Sequence, residues 1–117
     1  MMVSMTPAEL GLAPPVGAGA YAVVFTSLRT EGDHGYAQTS DEMVALAGAQ
    51  PGFLGLESAR GAEGLGITIS YWRDLQAIRA WKAHADHLVA QRAGRERWYR
   101  AYRVRVCRVE REYGFDR

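Results

Sequence analysis

The chain has 117 residues and a mass of 12.9 kDa, which suits one domain with a modest core that gains from burying further surface against a second copy. Apolar residues make up 48% and charged residues 23%, ordinary globular usage that excludes wholesale disorder, and no apolar run is long enough to span a bilayer. The net charge of +1 hides an asymmetry: from Arg73 onward lie 12 of the 14 basic and 6 of the 13 acidic residues, so this part is +6 and the rest −5.

Residues 1–20 hold Pro7, Pro14 and Pro15 with Gly11, Gly17 and Gly19, which disfavour a regular element, so an arm is expected ahead of a single domain over residues 21–117. Tyr21 to Arg29 is β-branched and aromatic enough for a buried first strand, and Glu31 to Gly35 supplies a turn. The spacing of Tyr36, Met43, Val44, Leu46 and Ala47 suits an amphipathic helix over about Tyr36 to Ala49, with Ser40 or Thr39 as candidate cap. Pro51 and Gly52 end it. Phe53 to Arg60 reads as a second strand, Gly61 to Gly64 as a hairpin turn and Leu65 to Trp72 as a third strand.

Asp74 stands where a short carboxylate accepts the free N–H groups of a first helical turn. A helix is expected from Leu75 into the region of His84, with Leu75, Ile78, Trp81, Ala85, Leu88 and Val89 on the arc that docks on the sheet and His84 and Gln91 on its flank. Trp98 to Tyr113 alternates again, Tyr102, Val104 and Val106 opposing Arg103 and Arg105, as in a last strand with one buried face. The order β-α-β-β-α-β predicts an α+β, ferredoxin-like arrangement in which one antiparallel sheet carries both helices on one face. Apolar residues on both sides of Tyr21–Phe25 and Ile67–Tyr71 predict that the other face packs against a second copy, so a homodimer is expected.

Partners and compartment follow from the same residues. The C-terminal arginines are scattered singly and interleaved with Glu96, Glu110, Glu112 and Asp116, a pattern that fits a solvated face or an acidic surface of a second copy and argues against nucleic acid. No membrane association is expected. The N-terminus lacks a secretory pattern and the lone Cys107 has no internal disulfide partner, so the expected location is cytoplasmic. His84 and His87 form an i, i+3 pair without a third ligand, since Asp86 points elsewhere, and no metal site is expected.

Several stretches together carry a resemblance to a known family. They are Val24-Phe25-Thr26, Gln50 to Gly55 with Glu57 and Ser58, Ile67 to Trp72, Ala77 to Gln91, Gly94-Arg95, Trp98-Tyr99, and the end near Tyr113 to Phe115. As a set, covering about Tyr21 to Phe115, they resemble the antibiotic biosynthesis monooxygenase (ABM) family of dimeric α+β barrel proteins. The resemblance implies a pocket between sheet and helices in each protomer, two per dimer. Some relatives oxygenate polycyclic aromatic substrates without metal or flavin, through a substrate carbanion that gives an electron to dioxygen; others bind and degrade haem; many have no assigned activity, and fold alone does not choose between them. In the haem-degrading relatives the tryptophan of this helix is followed ten residues later by an iron-ligating histidine, and a first-strand asparagine completes the trio. Here the first position holds Gln91, and Tyr21 to Arg29 contains no asparagine, which disfavours haem.

The expected function is therefore a cofactor-independent monooxygenase for a small aromatic or hydrophobic compound, the alternative being a non-catalytic ligand-binding or stress-related module of the same fold. Trp81 offers a flat apolar face for stacking, and its helical spacing equally suits a core anchor. His84 is the candidate catalytic base, because imidazole exchanges protons near neutrality. Arg60, Tyr71 and Trp72 are candidate ligand contacts that would stabilise a developing oxyanion, although strand parity lets only one of Tyr71 and Trp72 face a given pocket. Arg60 also stands where it would pair with an acid at the strand end, and Glu57 where it would meet an arginine across the dimer.

Overall fold

The computed structural model describes residues 5–117. Its elements are β1 (Tyr21–Arg29), α1 (Tyr36–Gly48), β2 (Phe53–Arg60), β3 (Leu65–Trp72), α2 (Leu75–Gln91), α3 (Gly94–Trp98) and β4 (Tyr99–Arg108). The four strands form one antiparallel sheet in the order β2-β3-β1-β4, the ferredoxin-like arrangement.

Local chemistry explains most boundaries. Asp74 caps α2 by accepting the Ala77 N–H at 2.8 Å, as the sequence predicts. The Pro51-Gly52 turn works because Gly52 has φ +84° and a Cβ there would crowd the Cβ of Ala77.

Four expectations are corrected. Neither Ser40 nor Thr39 caps α1, which begins at Tyr36: Asp33 takes the Gly35 and Ala37 N–H groups at 3.0 and 3.1 Å, while Thr39 is buried and accepts from Arg92 at 3.1 Å. The second helix runs unbroken to Gln91 and is followed by the extra short helix α3, so the order is β-α-β-β-α-α-β. Leu75 stays exposed in the first turn of α2, and Ala77 and Ile78 take the buried positions. The last strand ends at Arg108 instead of Tyr113, because its one neighbour among the described residues, β1, begins at Tyr21. One further pair of backbone bonds joins Val109 to Ala20 and Gly19 (2.8 and 2.9 Å), after which the arm turns away.

Register sorts the side chains between the faces. On the helix side, the core is Trp72, Ala47, Ala77 and Ile78, with Tyr21, Val23, Phe53 and Trp81 packed around it. Trp72 is wholly buried. On the opposite side lie Val24, Thr26 and Leu28 of β1, Ile67, Ile69 and Tyr71 of β3, and Arg103, Arg105 and Cys107 of β4. The described part of the arm crosses this second face over β2, where Ala13 and Pro14 meet the space above Gly55. The protomer is flat, 44 × 41 × 22 Å, and exposes 8499 Å². A compact monomer of this mass exposes about 6,300 Å².

Candidate functional site

The helix-side face forms a strip with two chemically different ends. At one end, the rings of Trp72 and Trp81 stack with centroids 5.9 Å apart and 24° between planes, and Phe53 meets Trp72 edge-on at 5.4 Å. The Trp72 N–H donates to Ser70 Oγ at 2.9 Å. With no exposed surface and its polar atom satisfied, Trp72 backs Trp81, which keeps a partly exposed face.

Between the ends, Val23 and Phe25 of β1 stand opposite Val106 and Val104 of β4 on the same side of the sheet. Val23 packs against the tryptophan cluster, yet both β4 valines remain about half exposed, so the strip is open to solvent above β4. Phe25 continues it, touching Tyr99 at 5.5 Å and Tyr102 at 5.4 Å between ring centroids.

The far end is polar and cationic. Arg60 donates to Gly64 O (2.5 Å), Ser27 Oγ (3.0 Å) and Tyr36 Oη (3.3 Å). Its guanidinium lies over Gly66, where any Cβ would overlap it, so the glycine is what lets the arginine reach across β3. Among the described residues no carboxylate pairs with Arg60, and its charge is not neutralised. Arg29 stacks on the Tyr36 ring, its Cζ 3.6 Å from the centroid. Burial first, then the Tyr36 hydroxyl, pushes the Tyr99 phenol above its ordinary value, so it is a hydrogen-bond donor throughout the physiological range. Beside Tyr99 and Tyr102 a hollow of ≈ 350 Å³ is rimmed by Arg95, Arg100 and Arg103.

The five sequence candidates are thus not one constellation. Trp81 and Trp72 share the apolar end and Arg60 commands the polar end. Parity puts Trp72 on the helix side and Tyr71 on the other face, where its hydroxyl donates to Glu57 Oε1 at 2.8 Å. Burial, followed by the Glu57 hydrogen bond, raises the Tyr71 phenol to about 12. His84 is exposed one turn beyond Trp81 on α2 and makes no hydrogen bond among the described residues. Arg60 bonds to a carbonyl and two hydroxyls instead of the expected acid, because the hairpin, β1 and α1 place the oxygens of Gly64, Ser27 and Tyr36 around it.

Ser27, Tyr36, Tyr99 and Gly66 escape the sequence reading. Two signals were present: Ser27 interrupts an apolar strand with a hydroxyl that ends up buried, and Gly66 sits inside a β-branched strand, where glycine often marks a close approach. Among the described residues no group of three or more His, Cys, Asp or Glu side chains is arranged to hold a metal, and no helix is long and apolar enough to cross a membrane.

Comparison with known proteins agrees with this architecture. Residues 20–93 match the model of a family described as antibiotic biosynthesis monooxygenase. The uncharacterised protein YqjZ of Bacillus subtilis is 51% identical over 96 residues, 82% of this chain and 84% of its own. Among solved structures, SnoaB, a cofactor-independent oxygenase from Streptomyces nogalater, superimposes with a TM-score of 0.67 at 18% identity, covering 81% of this chain and 97% of SnoaB. Rv0793 from Mycobacterium tuberculosis gives 0.65 at 20%, covering 81% and 99%. At these identities the two structures speak for the fold; the family match and the 51% relative establish kinship, and the chain belongs to the antibiotic biosynthesis monooxygenase family.

Proposed function

We propose that the chain is a homodimeric, cofactor-independent monooxygenase acting in the cytoplasm on a small aromatic or hydrophobic compound that carries a phenol or enol oxygen. The observation that carries this reading is the aromatic strip that runs from Trp81 past Phe25 and ends on the unneutralised guanidinium of Arg60. A flat ligand lying along Val23, Phe25, Val104 and Val106 would put a ring against Trp81 and its oxygen toward Arg60 and Tyr36. A fixed cation and a hydroxyl beside that oxygen favour its ionised form. His84, one turn beyond Trp81, is the candidate base that takes a proton from a ring carbon held at that end, which leaves a carbanion whose charge is shared with the oxygen beside Arg60. The carbanion then gives one electron to dioxygen, the two radicals join in a C–O bond, the resulting peroxide takes back the proton held by the base, and loss of water, with the hydrogen left on that carbon, leaves a carbonyl. One oxygen atom ends in the product and the other in water. SnoaB, described as a cofactor-independent oxygenase, supports this reaction class. The surface exposed beyond that of a compact monomer, about 2,000 Å² per protomer, supports the homodimer, since an obligate homodimer interface buries roughly 2,000–5,000 Å² counted over both copies.

Oxygen uptake with an anthrone- or quinol-type substrate tests the reading. Arg60→Met is expected to lower kcat/KM by about two orders of magnitude, the range for losing an oxyanion partner, Trp81→Ala to raise KM, and His84→Gln to lower kcat. The exposed imidazole of His84, which makes no hydrogen bond among the described residues, favours a second reading, a binding module that holds the same ligand without turning it over. Tight binding with no oxygen uptake by the unaltered chain decides for that module. Haem is expected to give no stoichiometric Soret band, given Gln91.

A further inference from the structure

The polar end of the strip does not stop at Arg60. Gly66, Ser27 and Tyr102 pair in turn across β3, β1 and β4, so they form one row running across the strands. The Arg60 guanidinium lies over the Gly66 end of that row and bonds to Ser27 in its middle. Tyr102 closes the other end, and the hollow of ≈ 350 Å³ opens beside it along the outer edge of β4. With neighbouring strands about 4.8 Å apart, the guanidinium and the hollow are separated by two to three spacings, roughly 10–15 Å. Strip and hollow share a wall: Phe25 touches the rings of Tyr99 and Tyr102, and the same two residues line the hollow.

Scattered along the sequence, three arginines are gathered here by the fold. The chain reverses from α3 into β4, which brings Arg95 to the same hollow as Arg100 and Arg103. The register of β4 against β1 slips between Leu28 and Arg29, so Arg100 has no partner residue in β1 and forms a bulge, a device that re-aims a side chain. Arg103 gives an N–H to the Tyr102 carbonyl at 3.0 Å. Among the described residues none of the three is in an ion pair, although Glu96 adjoins Arg95 in the chain. Acids of α1 and the turn before it are engaged elsewhere, Glu42 with Arg92 at 3.0 Å and Asp33 with the Gly35 and Ala37 N–H groups. Like charges gathered without a counter-charge repel one another, and a bound anion relieves that repulsion. Planar guanidinium groups present paired N–H donors that match the two oxygens of a carboxylate.

We infer that the hollow is an anion subsite and that the compound held on the strip is an aromatic acid. Its phenol or enol oxygen meets Arg60, and a carboxylate at the opposite end of the ring system is held by Arg95, Arg100 and Arg103. Two polar anchors at a set separation fix which way a flat, otherwise apolar ligand lies. The inference rests on the strip being a ligand site and adds the ligand's second polar group.

The test is isothermal titration calorimetry of the full chain with three probes. In 6-hydroxy-2-naphthoate the two groups stand at opposite ends of the rings; its methyl ester keeps the shape without the charge; 1-hydroxy-2-naphthoate keeps the charge with the two groups side by side. The first is expected to bind at least about tenfold more tightly than either of the others. The chain carrying Arg95→Gln, Arg100→Gln and Arg103→Gln is expected to bind the acid no better than the ester, with the ester's own affinity and the far-ultraviolet circular dichroism unchanged. Arg100→Gln alone is expected to give part of that loss. Equal binding of acid and ester by the unaltered chain overturns the subsite and leaves the strip standing. So does a preference for the acid that survives the arginine substitutions or that 1-hydroxy-2-naphthoate shares. An unaltered chain that binds none of the three probes overturns both.

Discussion

Tyr71 and Trp72 are neighbours on β3, and they show how differently the two faces of one sheet are built. Trp72 points to the helices, loses all contact with solvent, gives its N–H to Ser70 and stacks on Trp81. Tyr71 points the other way, stays partly exposed and gives its hydroxyl to Glu57, a carboxylate that also holds the arm at Ala13. Over β2 and β3 the helix side is closed by regular elements through apolar contact, so its aromatics there serve as core, while above β4 Val104 and Val106 stay about half exposed. The other side is crossed by an irregular segment through carboxylate-to-amide bonds, so its apolar residues Leu28, Leu65 and Ile67 remain in solvent. Burial is thus concentrated over β2 and β3 on the helix side, while the other face leaves apolar side chains in solvent.

The largest expected effect breaks the first of these faces. Trp72→Ala removes a wholly buried ring from between Phe53 and Trp81 and leaves Ser70 without its donor, so a loss of about 3–5 kcal/mol is expected in urea unfolding. Ile67→Ala on the opposite face should cost under about 1 kcal/mol under conditions where the protein is dilute and monomeric, because its side chain is already in contact with water. Equal losses from the two variants would sink the distinction. An intermediate effect is expected for Asp74→Ala, since the cap of α2 is lost while its buried residues remain.

Parity made the division between Tyr71 and Trp72 legible in the sequence, because alternation in a strand depends on nothing beyond the strand. The same locality made Asp74 readable as a cap and Pro51-Gly52 as a turn. Arg60 was legible as a candidate but its surroundings were not. Ser27, Tyr36 and the bare backbone of Gly66 come to it from three other places in the chain, and only pairing in the sheet brings them together. Likewise, the arm is held through backbone N–H groups at Ala13, Val16 and Gly17, which no side-chain pattern marks. The end of β4 depended on where its neighbour begins, a tertiary fact that alternation past Arg108 could not reveal.

A smaller effect sharpens the comparison from the side of Tyr71. Its phenol is raised from 10.0 to about 12, by burial first and the hydrogen bond to Glu57 second. A raised acid favours its protonated form in the folded state, so this contact contributes fully below pH 10 and is lost as pH rises through about 12. In a spectrophotometric titration a late phenolate component is expected, which Tyr71→Phe abolishes and Glu57→Gln shifts to lower pH. Tyr99, also raised, remains in both variants. A titration curve unchanged by Glu57→Gln would separate the tyrosine from the arm's anchor.

The smallest expected effect lies where the arm and the tail meet. The N–H groups of Val16 and Gly17 hold the Glu112 carboxyl below its ordinary value of 4.5. A lowered acid contributes above its unfolded value and is lost as pH falls through its folded one, so the clamp should be intact at neutrality and open in acid below 4.5. Glu112 is surface-exposed, and global unfolding should scarcely register the change. Amide exchange at Val16 and Gly17 should register it. Protection at these two positions is expected at neutral pH in the unaltered chain, and its loss in Glu112→Ala, with exchange in the core around Trp72 unaffected. Equal exchange in both proteins would mean that the arm stays on the sheet without this carboxylate, held by Glu57 and by the backbone bonds of Gly19 and Ala20 to Val109.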